Sequence, residues 1–205
     1  MHYAIGVQVV WLAVYGGASW LTASHARRVS LAMPWDEAIP FAPAAAVVYL
    51  SLPVMLWLAP LYLATPGEMR AFGKQLVIVI LVAGIGFVSL PANQPAVPAM
   101  PEGFGAAMFR VADWVNLDHN LFPSLHVAMA TLAAISFSRH VNIFAKLALV
   151  GWACGIAASA LLIRDHYIAD VLTGALLGAC VFGATRHWER SSEPDRAGLA
   201  PAADP

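Results

Sequence analysis

Apolar runs about as long as a membrane-crossing helix alternate with short polar connections along most of the chain. A transmembrane helix needs about 20 predominantly apolar residues, and the gaps between charged residues accommodate six of them. The predicted spans cover about residues 3–22, 41–64, 75–90, 123–137, 143–163 and 166–185. The pattern predicts an all-α, polytopic membrane protein with a bundle of six transmembrane helices.

The first two predicted spans carry further local signals. No Lys or Arg precedes the first apolar run, and that run is longer than the core of a signal peptide, so we interpret it as a retained span. In the second span, Pro43, Pro53 and Pro60 each remove a backbone hydrogen-bond donor, which predicts bends at these positions.

The connection between the third and fourth spans, residues 91–121, is too long to be a tight turn. Phe104, Met108, Val111 and Val115 recur in it at helical spacing, which predicts a short amphipathic helix lying at the membrane interface. Two roles remain open for this helix: a plain connector, or a lid that guides a lipid head group.

The end of the chain differs in composition from the rest. Residues 186–205 are polar and contain prolines, so we expect a disordered tail on the cytoplasmic side. Residues 1–185 then form a single membrane-embedded domain.

Composition and charge restrict the class of protein. Apolar residues make up 60% of the chain and charged residues 11%, against about a quarter charged in soluble proteins. The net charge is −1, and the Lys and Arg residues are scattered rather than clustered. The chain is therefore expected to be an integral membrane protein that does not bind nucleic acid.

The distribution of Lys and Arg predicts the orientation, because cytoplasmic loops carry an excess of these residues. Seven of them fall on the side of the termini and four on the other side. We expect a bacterial inner-membrane protein with both termini in the cytoplasm, so that the third and fifth loops face the periplasm.

Asp170 is the first candidate for chemistry, because a carboxylate at membrane depth costs about 2.5 to 3.5 kcal/mol and is functional by default. It lies four residues after His166, which places both side chains on one face if the segment is helical. The carboxylate can then fix the imidazole tautomer and leave the other ring nitrogen free as a nucleophile or base. A pair that only stabilises two helix ends is the structural alternative.

The second candidate is the segment at residues 122–130, FPSLHVAMA, where the fourth span begins. Pro123 suits the first turn of a helix, and the free N–H groups of that turn together with the Ser124 hydroxyl form an anion site next to His126. Both histidines begin spans on the same side, so they can meet at one pocket. This predicts phosphoryl transfer in which His166 attacks phosphorus, Asp170 orients it and His126 protonates the leaving oxygen.

A metal site is the main alternative for these residues. The possible ligands are Asp118, His119, His126, Asp165, His166 and Asp170. Adjacent residues on a helix project about 100° apart, and a metal leaves the proline and serine of the opening segment unexplained. We therefore expect neither a metal nor another cofactor, and we interpret Asp118 and His119 as exposed loop residues.

These motifs resemble two signatures of the type-2 phosphatidic acid phosphatase superfamily. PSLH at residues 123–126 is similar to P-S-G-H, and Ser159, His166 and Asp170 match the spacing of S-R-x5-H-x3-D. The resemblance extends over about residues 75–180 and implies a metal-independent phosphohistidine mechanism on a lipid phosphate. Leu125 in place of glycine, and DEAIPF at residues 36–41, look more like the branch that contains inositol phosphorylceramide synthase.

Three cations of the family pattern are absent from their usual positions. Phe87 and Gln94 occupy the Lys and Arg positions of the first signature, and Ala160 occupies the Arg position of the third. Arg164 compensates for one of them if the fifth span stays helical to its end, because position 164 then overlies position 160.

A phosphate site with one arginine and neutral donors favours a substrate of low charge. The expected phosphate-binding residues are Asn93, Gln94, Ser124 and Arg164. Because each unmatched charge in a partly desolvated pocket costs several kcal/mol, a phosphodiester lipid suits the site better than a monoester. Water or an alcohol then accepts the phosphoryl group.

Three other functions remain open on the sequence alone. The chain can be a monoesterase acting on phosphatidic acid or a polyprenyl phosphate, a transporter or proton relay, or a catalytically inactive relative. Transporters usually carry ionisable residues near the bilayer midplane and in repeated halves, whereas these lie at span ends without a repeat. The oligomeric state is not predicted.

Overall fold

The computed structural model of the protein describes residues 2–25, 27–99, 102–116 and 120–187, with side chains from Ile5 onward. In this part of the chain the regular structure is helical. The helices are α1 (His2–Ala23), α2 (Ala46–Tyr49), α3 (Leu52–Trp57), α4 (Ala59–Tyr62), α5 (Pro66–Ser89), α6 (Phe104–Val115), α7 (Leu125–Phe137), α8 (Ile143–Leu162) and α9 (Ile168–Thr185).

Four of these helices, α1, α5, α8 and α9, are long and apolar enough to cross a membrane, which indicates an integral membrane protein. The segments Pro43–Trp57 and Leu125–Phe137 are apolar but shorter. Large apolar side chains cover much of the bundle's outer surface, including Leu12, Ile85, Phe144, Leu147, Leu172 and Leu176. Apolar exposure on this scale suits contact with lipid rather than water.

The second predicted span is divided into short helices. Pro53 lies in the first turn of α3 and Pro60 in that of α4, and Pro43 begins a 3₁₀ turn before α2. A proline removes the hydrogen bond to the preceding turn. The predicted bends are therefore present, and they separate this segment into three pieces.

The predicted start of the third span, at residue 75, is wrong. α5 begins nine residues earlier at Pro66, where the Thr65 side chain accepts a hydrogen bond from Glu68 N and the Glu68 carboxylate accepts one from Thr65 N. This reciprocal cap starts a helix before the apolar run does. The charged residues in the first turns obscured it in the sequence.

α7 is the central helix, and buried residues occupy nearly its whole circumference. It packs most extensively against α9. At Gly174 and Gly178 of α9, an added Cβ would overlap with the main-chain carbonyls of Ser124 and Ala128. These two glycines allow the helices that carry the two candidate motifs to approach at backbone distance.

α6 is the predicted helix of the third connection, and three of the four residues of the predicted apolar stripe, Phe104, Val111 and Val115, are exposed. Ala106, Phe109 and Ala112 are buried, whereas Phe104 is 70% exposed and Trp114 is 85% exposed. Small residues and one aromatic ring thus attach the helix to the bundle. Phe104 and Trp114 point away from it.

Candidate active site

The two candidate histidines lie at the same end of the bundle. His126 is in the first turn of α7, and His166 is in the short connection between α8 and α9. The main-chain N–H of Ser124 donates to the Asp170 carbonyl at 3.0 Å. This hydrogen bond joins the two motifs directly.

His166 is held between two carboxylates. Its Nδ1 lies 3.5 Å from Asp170 Oδ2, and its Nε2 lies 3.3 Å from Asp165 Oδ2. Asp170 is completely buried, and the same Oδ2 accepts a hydrogen bond from the Tyr167 N–H. Both ring nitrogens therefore have an acidic neighbour.

The expected route to the His166–Asp170 contact is wrong, although the contact exists. His166 precedes α9 and does not share a helix face with Asp170. Asp170 is the third residue of α9, and its carboxylate accepts from the main chain just before the helix, as in a capping box. The cap orients the carboxylate towards the preceding histidine.

The charged neighbours of His166 set its protonation. Burial alone lowers the pKa of the imidazole, but Asp165, Asp170 and a hydrogen bond to the Leu121 carbonyl outweigh this effect. The pKa of His166 is therefore raised above its usual value. The ring must lose a proton before either nitrogen can act as a nucleophile.

Tyr49 connects the two histidines. Its hydroxyl donates to Asp165 Oδ2 at 2.7 Å and lies 2.9 Å from His126 Nδ1. Its ring also stacks on the His126 imidazole with 4.1 Å between centroids. The two imidazoles thus converge on one Tyr49–Asp165 pair.

Asn116 completes the cluster from the end of α6. Its amide Nδ2 donates to Asp165 Oδ1 and to the Tyr49 hydroxyl, both at 3.0 Å. The connection between α5 and α7 therefore contributes a polar residue to the same site. Tyr49 and Asn116 are additions that the sequence motifs did not indicate, and Asp165 was considered only as a metal ligand.

Hydrogen-bonding capacity assigns the tautomer of His126. The Tyr49 hydroxyl has one proton, and its shorter contact is with the Asp165 carboxylate, which only accepts. The hydroxyl must then accept from Asn116 and from His126 Nδ1–H. In neutral His126 the proton therefore resides on Nδ1, and Nε2 carries the lone pair.

Ser124 caps α7 rather than lying within it. Its side chain accepts a long hydrogen bond of 3.4 Å from Val127 N, and the residue is completely buried. Pro123 precedes the cap, so the predicted position of the proline in the first helical turn is wrong. Because Ser124 sits beside Asp170, it remains at the junction of the two motifs.

Arg164 holds a different part of the chain from the one expected. α8 ends at Leu162 and Arg164 has a φ of 60°, so it does not continue the helical face of Ala160. Its Nη1 and Nη2 donate to the Asp36 and Ile39 carbonyls at 3.1 and 2.6 Å. The assumed helical extension is therefore wrong.

Asp36 also holds the connection between α8 and α9, which contains His166, through its side chain. Its Oδ1 accepts from Ile168 N, the first residue of α9, at 2.9 Å, and its Oδ2 accepts from Met33 N at 2.7 Å. The segment from Asp36 to Ile39 is therefore hydrogen-bonded to the chain both before His166, at Arg164, and after it, at Ile168. The stretch at residues 36–41 thus has a positioning role.

Asn93 and Gln94 lie apart from the cluster. Both are exposed in the extended segment after α5, where Asn93 N donates to the Val29 carbonyl. Among the described residues, neither side chain has a hydrogen bond to the histidines or to Asp165. Phe87, at the expected lysine position, is buried in the core, and so is Ala160 at an expected arginine position.

The described hydrogen bonds and ion pairs of the cluster involve two carboxylates, two histidines, a tyrosine and an asparagine, but no Lys or Arg. Among the same residues, no three His, Cys, Asp or Glu side chains are grouped as metal ligands. Asp118 and His119 lie outside the described part of the chain. The described contacts of the site thus join two imidazoles, two carboxylates, a phenol and an amide without a Lys or Arg side chain.

Comparison with known proteins identifies the family. Residues 75–193, more than half of the chain, match the PAP2 superfamily. None of the curated proteins and none of the solved structures matches the chain. Members of this superfamily are generally phosphatases that need no metal. The matched region contains five of the six residues of the cluster, all except Tyr49. The chain therefore belongs to the PAP2 superfamily.

Proposed function

We propose that the protein is a lipid phosphoryl-transfer enzyme that works through a phosphohistidine at His166. Membership of a phosphatase and phosphotransferase family supports the reaction class. The single observation that carries the proposal is the convergence of His126 and His166 on the Tyr49–Asp165 pair. Two imidazoles that share these partners supply the nucleophile and the acid–base group that this reaction needs.

In the first half of the reaction, His166 first releases its Nε2 proton to water, and Nε2 then attacks phosphorus. The P–N bond forms as the bond from phosphorus to the leaving oxygen breaks. Protonated His126 gives its Nε2 proton to that oxygen. Asp170, near Nδ1, stabilises the positive charge of the phosphorylated ring.

In the second half, water or an alcohol attacks the phosphohistidine. His126 Nε2 now takes the proton of the attacking hydroxyl, and the P–N bond breaks to return neutral His166. The tautomer set by Tyr49 suits this step, because it keeps the lone pair on Nε2. Tyr49 and Asn116 are thus positioning residues for His126.

We further propose a phosphodiester lipid as the donor and an alcohol as an acceptor beside water. Asp165 and Asp170 already place negative charge around His166, and a monoester adds close to two more charges. A diester adds one, which costs less in a partly desolvated site. Ser124, Asn93, Gln94 and Arg164 stay proposed phosphate contacts, the last three requiring rearrangement of the segments that hold them.

The proposal includes six membrane crossings. Pro43–Trp57 and Leu125–Phe137 are apolar and join the four longer helices in one bundle. We place both termini in the cytoplasm, the histidine cluster at the periplasmic face of a bacterial inner membrane, and α6 at the interface. The resemblance to the inositol phosphorylceramide synthase branch supports the transferase activity.

A substrate panel with purified protein tests the proposal. Free phosphate and transferred head group are measured separately for phosphatidic acid and for diester phospholipids, with and without an alcohol acceptor. We expect turnover of diesters and head-group transfer when the alcohol is present. Rapid phosphate release from phosphatidic acid with untouched diesters identifies a monoesterase instead.

A further inference from the structure

A cavity of about 600 Å³ leads from the histidine cluster into the apolar interior of the bundle. His126 and Asn116 line it at the end near the histidine cluster, and Met69, in the first turn of α5, lines it at the other end. Along α5 the lining extends over three turns from Ile80 to Met69, about 16 Å at 1.5 Å per residue. The cavity is therefore a channel that ends at the proposed acid–base residue.

The broken second span creates this space. Pro53 and Pro60 line the cavity on one side, and α1 and α5 line it on the other. α3 and α4 pack against α7, whereas α1 packs against α5. Short helices interrupted by prolines cannot maintain one continuous ridge against a straight neighbour. Although α5 also packs against α7, a gap remains between α3–α4 and α1.

The lining is apolar and the cavity reaches the outer surface. Apart from Gln8, Asn116 and His126, its walls consist of apolar side chains and glycine. Gln8 and Trp57 line the cavity and are also exposed on the outside of the bundle, Trp57 to 79%. A lipid can therefore enter from the side without leaving the membrane.

We propose that this cavity holds one hydrocarbon chain of the substrate lipid and selects it by length, an inference that rests on the proposed function. An apolar cavity of about 150 Å³ holds one benzene, which is about 25 Å³ per carbon. The volume of about 600 Å³ then holds about two dozen carbons. This is enough for one long chain and too little for two.

The cavity selects by shape rather than by hydrophobic attraction. Lipid tails are as apolar as the cavity wall, so a chain gains little from moving out of the bilayer. A chain that fits places its phosphate at His126, and one that is blocked on the way cannot do so. Narrowing the cavity should therefore reduce turnover of substrates with long chains and leave turnover of those with short chains unchanged.

Leu56→Trp narrows the cavity, and Val54→Trp is the matched control on the same helix. Leu56 lines the cavity, whereas Val54 is 47% exposed on the outer surface and does not. Both variants are assayed with two phosphodiesters that share a head group and carry one butyl or one hexadecyl chain. A third substrate with a farnesyl chain distinguishes isoprenoid from linear chains as the natural occupant.

We expect Leu56→Trp to lower kcat/KM for the hexadecyl substrate about tenfold, the cost of modest overpacking, and to leave the butyl substrate within about twofold of wild type. Val54→Trp should leave both unchanged. Equal losses on both chains, or equal effects of the two variants, overturn the chain site. If wild-type protein turns over neither substrate, the proposed function fails. Whether the cavity binds a hydrocarbon chain is then tested by photolabelling, which needs no turnover.

Photolabelling of wild-type protein provides that readout without activity or mutation. A hexadecyl phosphodiester with a terminal diazirine should label the cavity floor around Met69 and Phe72, and an excess of unlabelled substrate should compete. Labels confined to outward residues such as Leu61 and Ile85 overturn the chain site, because the chain then remains in the bilayer.

Discussion

Contacts between a histidine and carboxylates lie at opposite ends of the bundle, and the two sites differ in distance, burial and partners. At one end, His140 Nε2 is 2.6 Å from Glu68 Oε1, with Arg139 at 3.9 Å from the same oxygen. At the other, His166 is 3.3 and 3.5 Å from its two carboxylates. The shorter contact belongs to the more exposed histidine: the His140 side chain is 45% exposed, whereas that of His166 is 4% exposed.

The comparison shows that a short distance does not identify a working pair. Glu68 is already occupied as the cap of α5, and its partner is partly in solvent, so the pair joins two helix ends. His166 is buried beside two acids and linked through Tyr49 to a second imidazole. Burial and a partner shared with a second imidazole distinguish the candidate catalytic histidine, His166, from His140, whose pair has a structural role.

The largest expected effect separates the two histidines directly. His166→Ala should reduce turnover at least about 10³-fold, because the covalent nucleophile is lost. His140→Ala should change turnover by less than about twofold and stability by about 1 kcal/mol or less, as for exposed pairs. Steady-state kinetics and thermal unfolding of both variants make the test. Equal loss of turnover in the two would remove the distinction.

His126→Gln should reduce turnover of an alkyl phosphodiester by about 10² to 10⁴, the usual contribution of general acid–base catalysis. A nitrophenyl ester needs no proton on its leaving group, so it should still give a burst of nitrophenolate stoichiometric with enzyme. The burst is followed by absorbance in rapid mixing. Its absence would mean that His126 does not act as the acid.

Tyr49→Phe should reduce kcat about tenfold to a hundredfold, because the loss of the hydroxyl leaves buried partners unsatisfied. Tyr62→Phe is the matched control in the same broken span, where Tyr62 stacks on Phe137. The reduction should fall on kcat more than on KM. Identical kinetics for the two variants would exclude Tyr49 as a positioning residue.

The smallest expected effect is a displacement of the pH profile. Because Asp165 raises the pKa of His166, the nucleophile is released only as the pH rises through this higher value. Asp165→Asn should lower that pKa and move the acidic limb of kcat/KM to lower pH. Glu68→Gln, the control, should leave the acidic limb in place. If Asp165→Asn also leaves it in place, Asp165 does not set the pKa of the nucleophile.

The sequence predicted the outline of the fold because apolar length is a strong signal. Helix bounds followed closely for α1 and α8, whereas α5 was predicted too short because its cap lies among charged residues. α6 was predicted from the spacing of its large residues, which did not indicate that Ala106 and Ala112 make its contacts with the bundle. Helical spacing of large residues does not reveal packing through alanine.

The site was predicted only as far as local motifs extend. His126, His166 and Asp170 carry recognisable spacing, but Tyr49 and Asp165 are 116 residues apart and meet only in the folded bundle. A tyrosine inside the apolar segment AVVYL was the available signal, because a buried hydroxyl needs a partner. Arg164 was misassigned because its loop conformation cannot be inferred from helical periodicity.

Trapping of a covalent intermediate tests the central claim most directly. Purified protein is mixed with a phosphodiester labelled at phosphorus, quenched in alkali, and digested for mass spectrometry. The account predicts a label that is stable to alkali and lost in acid, located on His166, absent from His166→Ala and increased in His126→Gln. Turnover of the same substrate with no label on His166, or with the label on another residue, would contradict it.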